Sequence, residues 1–409
     1  MVPSEPRATT RLLLSRRRIT FAAAGAKGDR WGKRNLRKPR PRRFGMIHLF
    51  GMALRREELL PRLGHLSQLA GFQPAELSEG QSRGVRVLHV WNGSGLEFTV
   101  VVDRGLDISH CRFCGIPLSW RAPVGEAHPH RFDPRGLGWL RTFYGGLVVT
   151  CGLTQAGAPC VDEGEDLGLH GWFSHLPAEE VRWDSYWEGE ELYLRVSGKI
   201  REWRMFGPNL LLERTILTRL GDPWIRIEDR VSNEGTKRTP IMLLYHVNLG
   251  WPIVDAGAEI LCAFTDVRPR DEEAAKGRSH WFRILEPARA FREQVFYVDH
   301  PAGDDGYVDV ALVNPRLRGD GLGLALCYRK ADLPRFTLWK QLDEYEYVVG
   351  LEPANCWVEG RAKEKQRGAV EYLEPGEARS FGLELRVIDS EGIHRLREAL
   401  RQRGRVSAE

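Results

Sequence analysis

The chain has 409 residues, 42% hydrophobic and 28% charged, a composition that excludes collagen, a coiled-coil array and a small disulfide scaffold. The formal charge of +5 comes from one end: residues 1–43 hold fourteen Lys and Arg against Glu5 and Asp29, a local balance of +12 that leaves −7 for the remainder. A nucleic-acid role would rest on that tail alone, and no stretch approaches the roughly 18 apolar residues of a membrane helix.

In chain order, residues 1–45 form a basic tail without periodicity. They read as a disordered or artefactual extension, with a basic arm and an organellar transit peptide as the alternatives. Leu12-Leu13-Leu14 is too short for a secretory core. Residues 46–409 read as one domain, with its body between about 53 and 390. Leu54, Leu59, Leu60, Leu63, Leu66 and Leu69 lie near helical spacing and predict a helix over 52–70. Strands follow. Val85–Val90 and Leu96–Val102 flank Asn92-Gly93 and predict a hairpin. Further strands are predicted over 191–199, 209–219, 224–231, 240–248, 258–264, 295–298, 307–313, 322–328, 335–340, 346–351, 356–358 and 380–387, with Gly, Pro, Asp and Asn in the gaps. Short strands at spacings near ten residues point to a large antiparallel sandwich or barrel. Ile393, Leu396 and Leu400 share one face of a helix over 391–402. Seven scattered cysteines fit a reducing cytoplasm better than a disulfide framework.

The sequence contains no P-loop, no HExxH, no GxSxG and no GxGxxG between a strand and a helix, so the familiar nucleotide and zinc signatures are missing. The CxxC at Cys111 and Cys114 lacks the second pair a zinc site wants, and two incidental thiols in a hairpin is the plainer reading. Four places could carry polar chemistry. Arg104 and Asp107 bracket a turn after a strand, where they bind a ligand or pair with each other. His170 lies between Gly168 and Gly171, which permit close backbone approach. His246 and Asn248 stand two apart at the end of an apolar strand and therefore face one side. Glu352 ends the strand 346–351 and is held extended by Pro353, and a carboxylate there is solvated, paired or functional. Lys340 follows Trp339, and aromatic rings stack on the apolar faces of sugars.

These pieces resemble, in their order, the galactose mutarotase (aldose 1-epimerase) superfamily: Leu-His-Gly at His170, Tyr-His-Val-Asn-Leu-Gly at His246, and Gly-Leu-Glu-Pro-Ala-Asn at Glu352. Three stretches are similar to an aldose-1-epimerase-like branch classed as a domain of unknown function: Asp103–Ile108 with Gly95-Leu96, Gly145–Leu147 with Thr150–Leu153, and Leu333–Phe336 with Trp339-Lys340. The resemblance runs from about Gln68 to Leu385. It implies an all-β fold, a large antiparallel β-sandwich of the galactose mutarotase type with short peripheral helices. It also implies an isomerase of carbohydrate metabolism that interconverts the anomers of a sugar without cofactor or metal. Glu352 inherits the general base, His246 the general acid and His170 substrate binding. Arg104, Lys340 and Asn248 are second-rank candidates to line the cleft, on the chemical ground that a sugar rim offers hydroxyls to charged and amide groups. The chain departs from the family in having His-Val-Asn-Leu where the enzymes have His-Ser-Tyr-Phe-Asn-Leu. The expected partner is a small sugar, with no membrane, an unspecified oligomeric state and a cytoplasmic location. A lyase or other epimerase on a modified sugar, and a non-catalytic carbohydrate-binding protein, are the alternatives. Glu352 and His246 are expected on either side of a gap wide enough for a sugar ring.

Overall fold

The computed structural model describes residues 46–407; the readings of the tail 1–45 lie outside the described residues. Three antiparallel sheets carry the fold. The five-stranded sheet runs through Ala70–Glu76, Arg86–Asn92, Leu96–Val101, Asp107–Phe113 and Ile116–Pro117, and the hairpin predicted around Asn92-Gly93 lies inside it. The nine-stranded sheet runs, side by side, through Glu179–Glu188, Glu191–Trp203, Asn209–Arg219, Asp222–Asn233, Ala378–Asp389, Leu322–Arg329, Tyr307–Asn314, Glu259–Phe264 and Arg405–Val406.

The remaining sheet positions the site. In chain order its strands are β1 (Val149–Leu153), β2 (Thr239–Gly250), β3 (Asp266–Pro269), β4 (Gln294–Asp299), β5 (Arg335–Asp343), β6 (Glu346–Ala354) and β7 (Glu371–Leu373). Side by side they run β3-β4-β5-β6-β2-β7, with β1 paired along Met242–His246 of β2. Strand side chains alternate between faces. One face of this sheet, through Tyr245, Val247, Leu249, Phe296, Val298, Leu338, Val349 and Leu351, joins the main core with Leu194, Val196, Leu212, Ile216, Ile225 and Ile227 of the nine-stranded sheet. The opposite face, through Val149, Cys151, Met242, Leu244 and Ala354, joins a second apolar cluster with Trp139, Phe143 and Trp339. A sheet covered on both faces explains why β2 carries the unbroken apolar run Ile241–Tyr245 rather than an alternating pattern.

The structure differs from the sequence expectations in three places. The helix predicted over 52–70 is broken into a strand, Met52–Leu54, and three short helical turns. Pro61 and Gly64 interrupt the leucine spacing, since Pro clashes with the preceding turn and Gly is entropically costly. Residues 356–358 make no strand. Packing also begins earlier than residue 53, with Ile47 and Leu49 in the main core. The C-terminal helix Ser390–Arg401 forms as read, capped by Asp389 and seated through Leu396 and Leu400. No helix among the described residues is long and apolar enough to cross a membrane.

One ionic cluster ties the sheets together. Arg214, fully buried, donates to Asp229 from Nε at 2.9 Å and Nη2 at 2.7 Å, and to Asp107 at 2.8 Å. Tyr245 of β2 donates its hydroxyl to Asp229 at 2.7 Å, and Thr150 of β1 donates both N–H and O–H to Asp107. Burial works against the guanidinium charge, yet Asp229 and Asp107 hold it firmly protonated. Arg214→Met would strand two buried carboxylates, so we expect an unfolding free energy lower by about 3–5 kcal/mol, read from urea midpoints at constant m. A loss below about 1 kcal/mol, the range of an exposed pair, would remove the cluster from the interactions that hold the sheets.

Candidate active site

Four of the sequence-predicted residues come together, buried, on the face of the site sheet that carries Met242, Leu244 and Ala354. Register places Val247 opposite Leu351 and Asn248 opposite Gly350, so His246 and Glu352 are cross-strand neighbours. Their side chains are 5% and 2% exposed at residue level, and His246 Nε2 lies 3.2 Å from Glu352 Oε1. His170 joins them from the loop after Glu165–Leu167, its ring centroid 5.8 Å from that of His246. Asn248 is buried one i+2 step along β2, donating its amide to the His246 carbonyl at 2.9 Å.

Aromatic rings wall the group. Trp139 lies 4.7 Å from His170 and 6.5 Å from His246 between centroids, Phe143 lies 5.5 Å from His246, and Trp339 meets His246 edge-on at 5.3 Å. Trp339 is oriented by its indole N–H, which donates to Glu293 at 2.8 Å; Arg270 holds that carboxylate at 2.8 Å. Trp139 donates to Ser174 Oγ at 3.0 Å. Gly350 leaves the room in which the pair meets: a Cβ there would stand 2.6 Å from Glu352 Oε1 and 3.2 Å from His246 Cε1.

The electrostatics follow from burial. Desolvation raises the Glu352 carboxyl well above its usual range, with the Glu293 charge adding to it and Arg270 opposing. Desolvation lowers His246 to about 3, the neighbouring His170 adding to the effect and Asn248 opposing it. His170 is pushed down to about 4 by burial. Burial therefore favours the uncharged form of each group, a protonated carboxyl beside a neutral imidazole. The ring nitrogens differ in role. Gly157 N–H donates to His170 Nδ1 at 3.3 Å, so the neutral ring carries its hydrogen on Nε2. His246 Nδ1, Asn248 Oδ1 and Glu352 Oε1 have no hydrogen-bond partner in the structure, and a hydrogen on Nδ1 suits the Asn248 amide, which acts on the ring. His246 Nε2 is then the acceptor facing Glu352.

Three expectations are corrected. Glu352 and His246 stand in contact rather than across a gap. Lys340 lies on the other face of β5, because Thr337 and Trp339 face the cleft and the intervening positions cannot. It is fully buried among Leu338 and Leu342, and its ammonium donates to the Arg283 carbonyl at 2.8 Å. Arg104 is one layer behind the site. Its guanidinium is spent on the carbonyls of Ser174, Ala127 and Thr142 and on His175 Nε2 at 3.0 Å, and Asp107 pairs with Arg214 instead. It supports the segment that carries Ser174, and through it Trp139. Trp139, Phe143 and Gly350 went unread in the sequence, since nothing in their local pattern separates them from core or turn residues.

This is the galactose mutarotase-like class of fold, with a polar cluster on one sheet face. Residues 82–387 match the family described as Domain of unknown function (DUF4432), and the chain belongs to that family. Among solved structures, it is similar to a candidate aldose 1-epimerase from Klebsiella pneumoniae, at 25% identity and a TM-score of 0.78 over 83% of this chain and 90% of that one. It is also similar in fold to a galactose mutarotase-like protein from Clostridium acetobutylicum, at 9% identity and a TM-score of 0.52 over 79% and 99%. No curated protein matches the sequence.

Nitrogen-15 correlation spectra of the imidazoles test the site directly. His170 and His246 should both stay neutral at pH 5, His170 as the Nε2–H tautomer and His246 as the Nδ1–H tautomer. An imidazolium at either position at that pH would contradict the burial argument.

Proposed function

We propose that this protein is an aldose 1-epimerase-like isomerase that interconverts the anomers of a sugar by general acid–base catalysis, with Glu352 and His246 as the reacting groups. The observation that carries the reading is the contact pair itself: a carboxyl and an imidazole buried together, with His246 Nε2 3.2 Å from Glu352 Oε1. Opening a pyranose requires a proton to leave the C1 hydroxyl and another to reach the ring oxygen. Both oxygens are bonded to C1, so a base and an acid that serve them belong side by side. That is why contact suits the chemistry better than the gap expected from the sequence.

The same proton count serves both halves of the reaction. With the proton on His246, the Glu352 carboxylate takes the C1 hydroxyl proton and the imidazolium gives one to the ring oxygen. The ring opens and the bond between C1 and C2 rotates. The pair now holds a protonated Glu352 and a neutral His246, the arrangement favoured when no sugar is bound. Return of the two protons closes the ring on the other face. Each group contributes about 10²–10⁴-fold in such reactions. A bound sugar brings hydroxyl dipoles that water no longer supplies, which stabilises the ionic form needed for the first step. His170, neutral with its hydrogen on Nε2, is suited to donate to a sugar oxygen, and Trp139, Phe143 and Trp339 to pack against the apolar ring face.

Glu352→Gln should lower the rate of mutarotation of a bound aldose by about 10²-fold or more, followed by polarimetry, while calorimetry shows the sugar still bound. Wild-type turnover in that variant at saturating sugar would move the base elsewhere. Sugar binding without acceleration in the wild type would make this a carbohydrate-binding protein, and an unsaturated product would make it a lyase.

The pH profile follows from the shifts. Activity is lost when a second proton enters the pair, near pH 3 for His246, or when the only one leaves, well above the usual carboxylate range for Glu352. The acid limb of kcat/KM set by His246 should therefore lie near pH 3, with no such limb between pH 7 and pH 5. An acid limb centred near 6.5, the ordinary histidine value, would mean that His246 works as an isolated, solvated imidazolium.

A further inference from the structure

The cleft face of the site sheet continues beyond the reacting pair in a straight cross-strand row. Glu352 stands opposite Thr337, Thr337 opposite Tyr297, and Tyr297 opposite Arg268, so all four project from one face. Arg335, two residues before Thr337 on β5, projects from that face as well, opposite Ala354. Arg268 thus ends the row that begins at Glu352 and His246, and Arg335 lies one two-residue step to the side of it.

Both arginines lie on aromatic rings, Arg268 exposed and Arg335 half-buried. Arg268 Cζ is 5.6 Å from the centroids of Tyr297 and of Trp357, and Arg335 Cζ is 5.1 Å from that of Trp357. Tyr297 and Trp357 pack together at 4.5 Å. Among the described residues neither arginine has a carboxylate partner. The nearby acids are already engaged: Glu359 with Arg367 and Lys363, Glu293 with Arg270. A guanidinium stacked on a ring keeps its in-plane N–H donors free for a carboxylate or phosphate. Between these donors and Glu352, the Tyr297 hydroxyl and Thr337 Oγ1 are buried, at residue exposures of 6% and 1%, without a hydrogen-bond partner.

We infer that the sugar acted on is anionic, an aldose whose carbon farthest from C1 carries an oxyanion that Arg268 and Arg335 bind. The inference rests on Glu352 and His246 as the C1 end. The dimensions agree. With strands about 4.8 Å apart and a two-residue step of about 6.8 Å, the Arg335 backbone stands roughly 8 Å and the Arg268 backbone roughly 14 Å from that of Glu352; Arg268 leans back over Tyr297, and a sugar ring with a terminal substituent spans the shorter distance. Thr337 and Tyr297 then supply hydroxyls to the middle of the sugar, which gives their orphaned polar atoms partners. A carboxylate and a phosphate ester present the same oxyanion chemistry to the fork of an arginine.

Calorimetry on the full chain with a hexuronate, a hexose 6-phosphate and the neutral parent hexose tests this and tells the two oxyanions apart. At least one anionic sugar should bind about tenfold or more tightly than the neutral parent, and its affinity should fall as salt rises. The double variant Arg268→Gln/Arg335→Gln should lose that preference. The double variant Arg268→Lys/Arg335→Lys, which keeps the charge without the fork, should retain part of it and serves as the control for folding. Equal affinity for charged and neutral sugars, or a preference that survives the glutamine variant, would overturn the inference. Glu352→Gln should keep the preference. If the preference is present and arginine-dependent but no bound sugar mutarotates faster, the ligand class stands and the isomerase reading falls.

Discussion

Arg214 holds a full charge at no side-chain exposure, and it does so only because four elements bring it partners. Asp229 comes from the neighbouring strand of its own sheet, Asp107 from the five-stranded sheet, Thr150 from β1 and Tyr245 from β2. Hydrogen bonds between strands set neighbours within a sheet, but they leave the rotation and offset of one sheet against another open. A buried fork with fixed donor directions closes that freedom, since a displaced sheet would strand a charge in the core. The consequence reaches the site through parity. Tyr245 must face Arg214, so His246, the next residue, must face the other way. The same turn that supplies Asp107 also carries Arg104, whose carbonyl contacts brace the segment bearing Ser174 under Trp139.

With the sheets fixed, the protonation of the site is decided by what covers it. Glu352 and His246 could form an ion pair, and each would then be shifted toward its charged form. Both are shifted the opposite way, because burial against Trp339 and Phe143 removes the water that would stabilise the charges. The neutral and ionic forms of the pair differ by one proton, and a bound polar ligand that replaces the lost water would favour the ionic form.

Much of the architecture was legible from local pattern. The strands over 191–219, 307–328 and 380–387 stand out because apolar residues and turn punctuation coincide, and a large antiparallel sandwich or barrel follows from them; its galactose mutarotase type came only from the motif resemblance. The polar edge strand Glu179–Glu188 escaped notice, because its exposed side chains need no apolar alternation. At the site, the i+2 spacing of His246 and Asn248 on an apolar strand placed both on one face, as found. Lys340 was misassigned although the same rule excludes it, since adjacent residues of a strand cannot both face the cleft and Trp339 does. The Arg104–Asp107 pairing failed for a different reason. Short separation in the chain favours such a pair, but the true partner of Asp107 is 107 residues away and becomes visible only when the sheets meet.

The shortened His-Val-Asn-Leu run acquires a physical sense from the strand beside it. Asn248 lies opposite Gly350, the one residue type that adds no side chain between Asn248 and Trp339. A Cβ at Gly350 would press on Glu352, Trp339 and His246 at once. An asparagine at this register position can therefore stay buried beneath the reacting pair, bonded to the His246 carbonyl and alongside the imidazole. Its influence on the ring favours the protonated form, against the burial that opposes it. Asn248 is thus better understood as a group that tunes His246 from behind than as one that touches sugar. On that view, the cleft face divides its work: the reacting pair at one end, backed by Asn248 and Gly350, and recognition along the row that leads away across Thr337 and Tyr297.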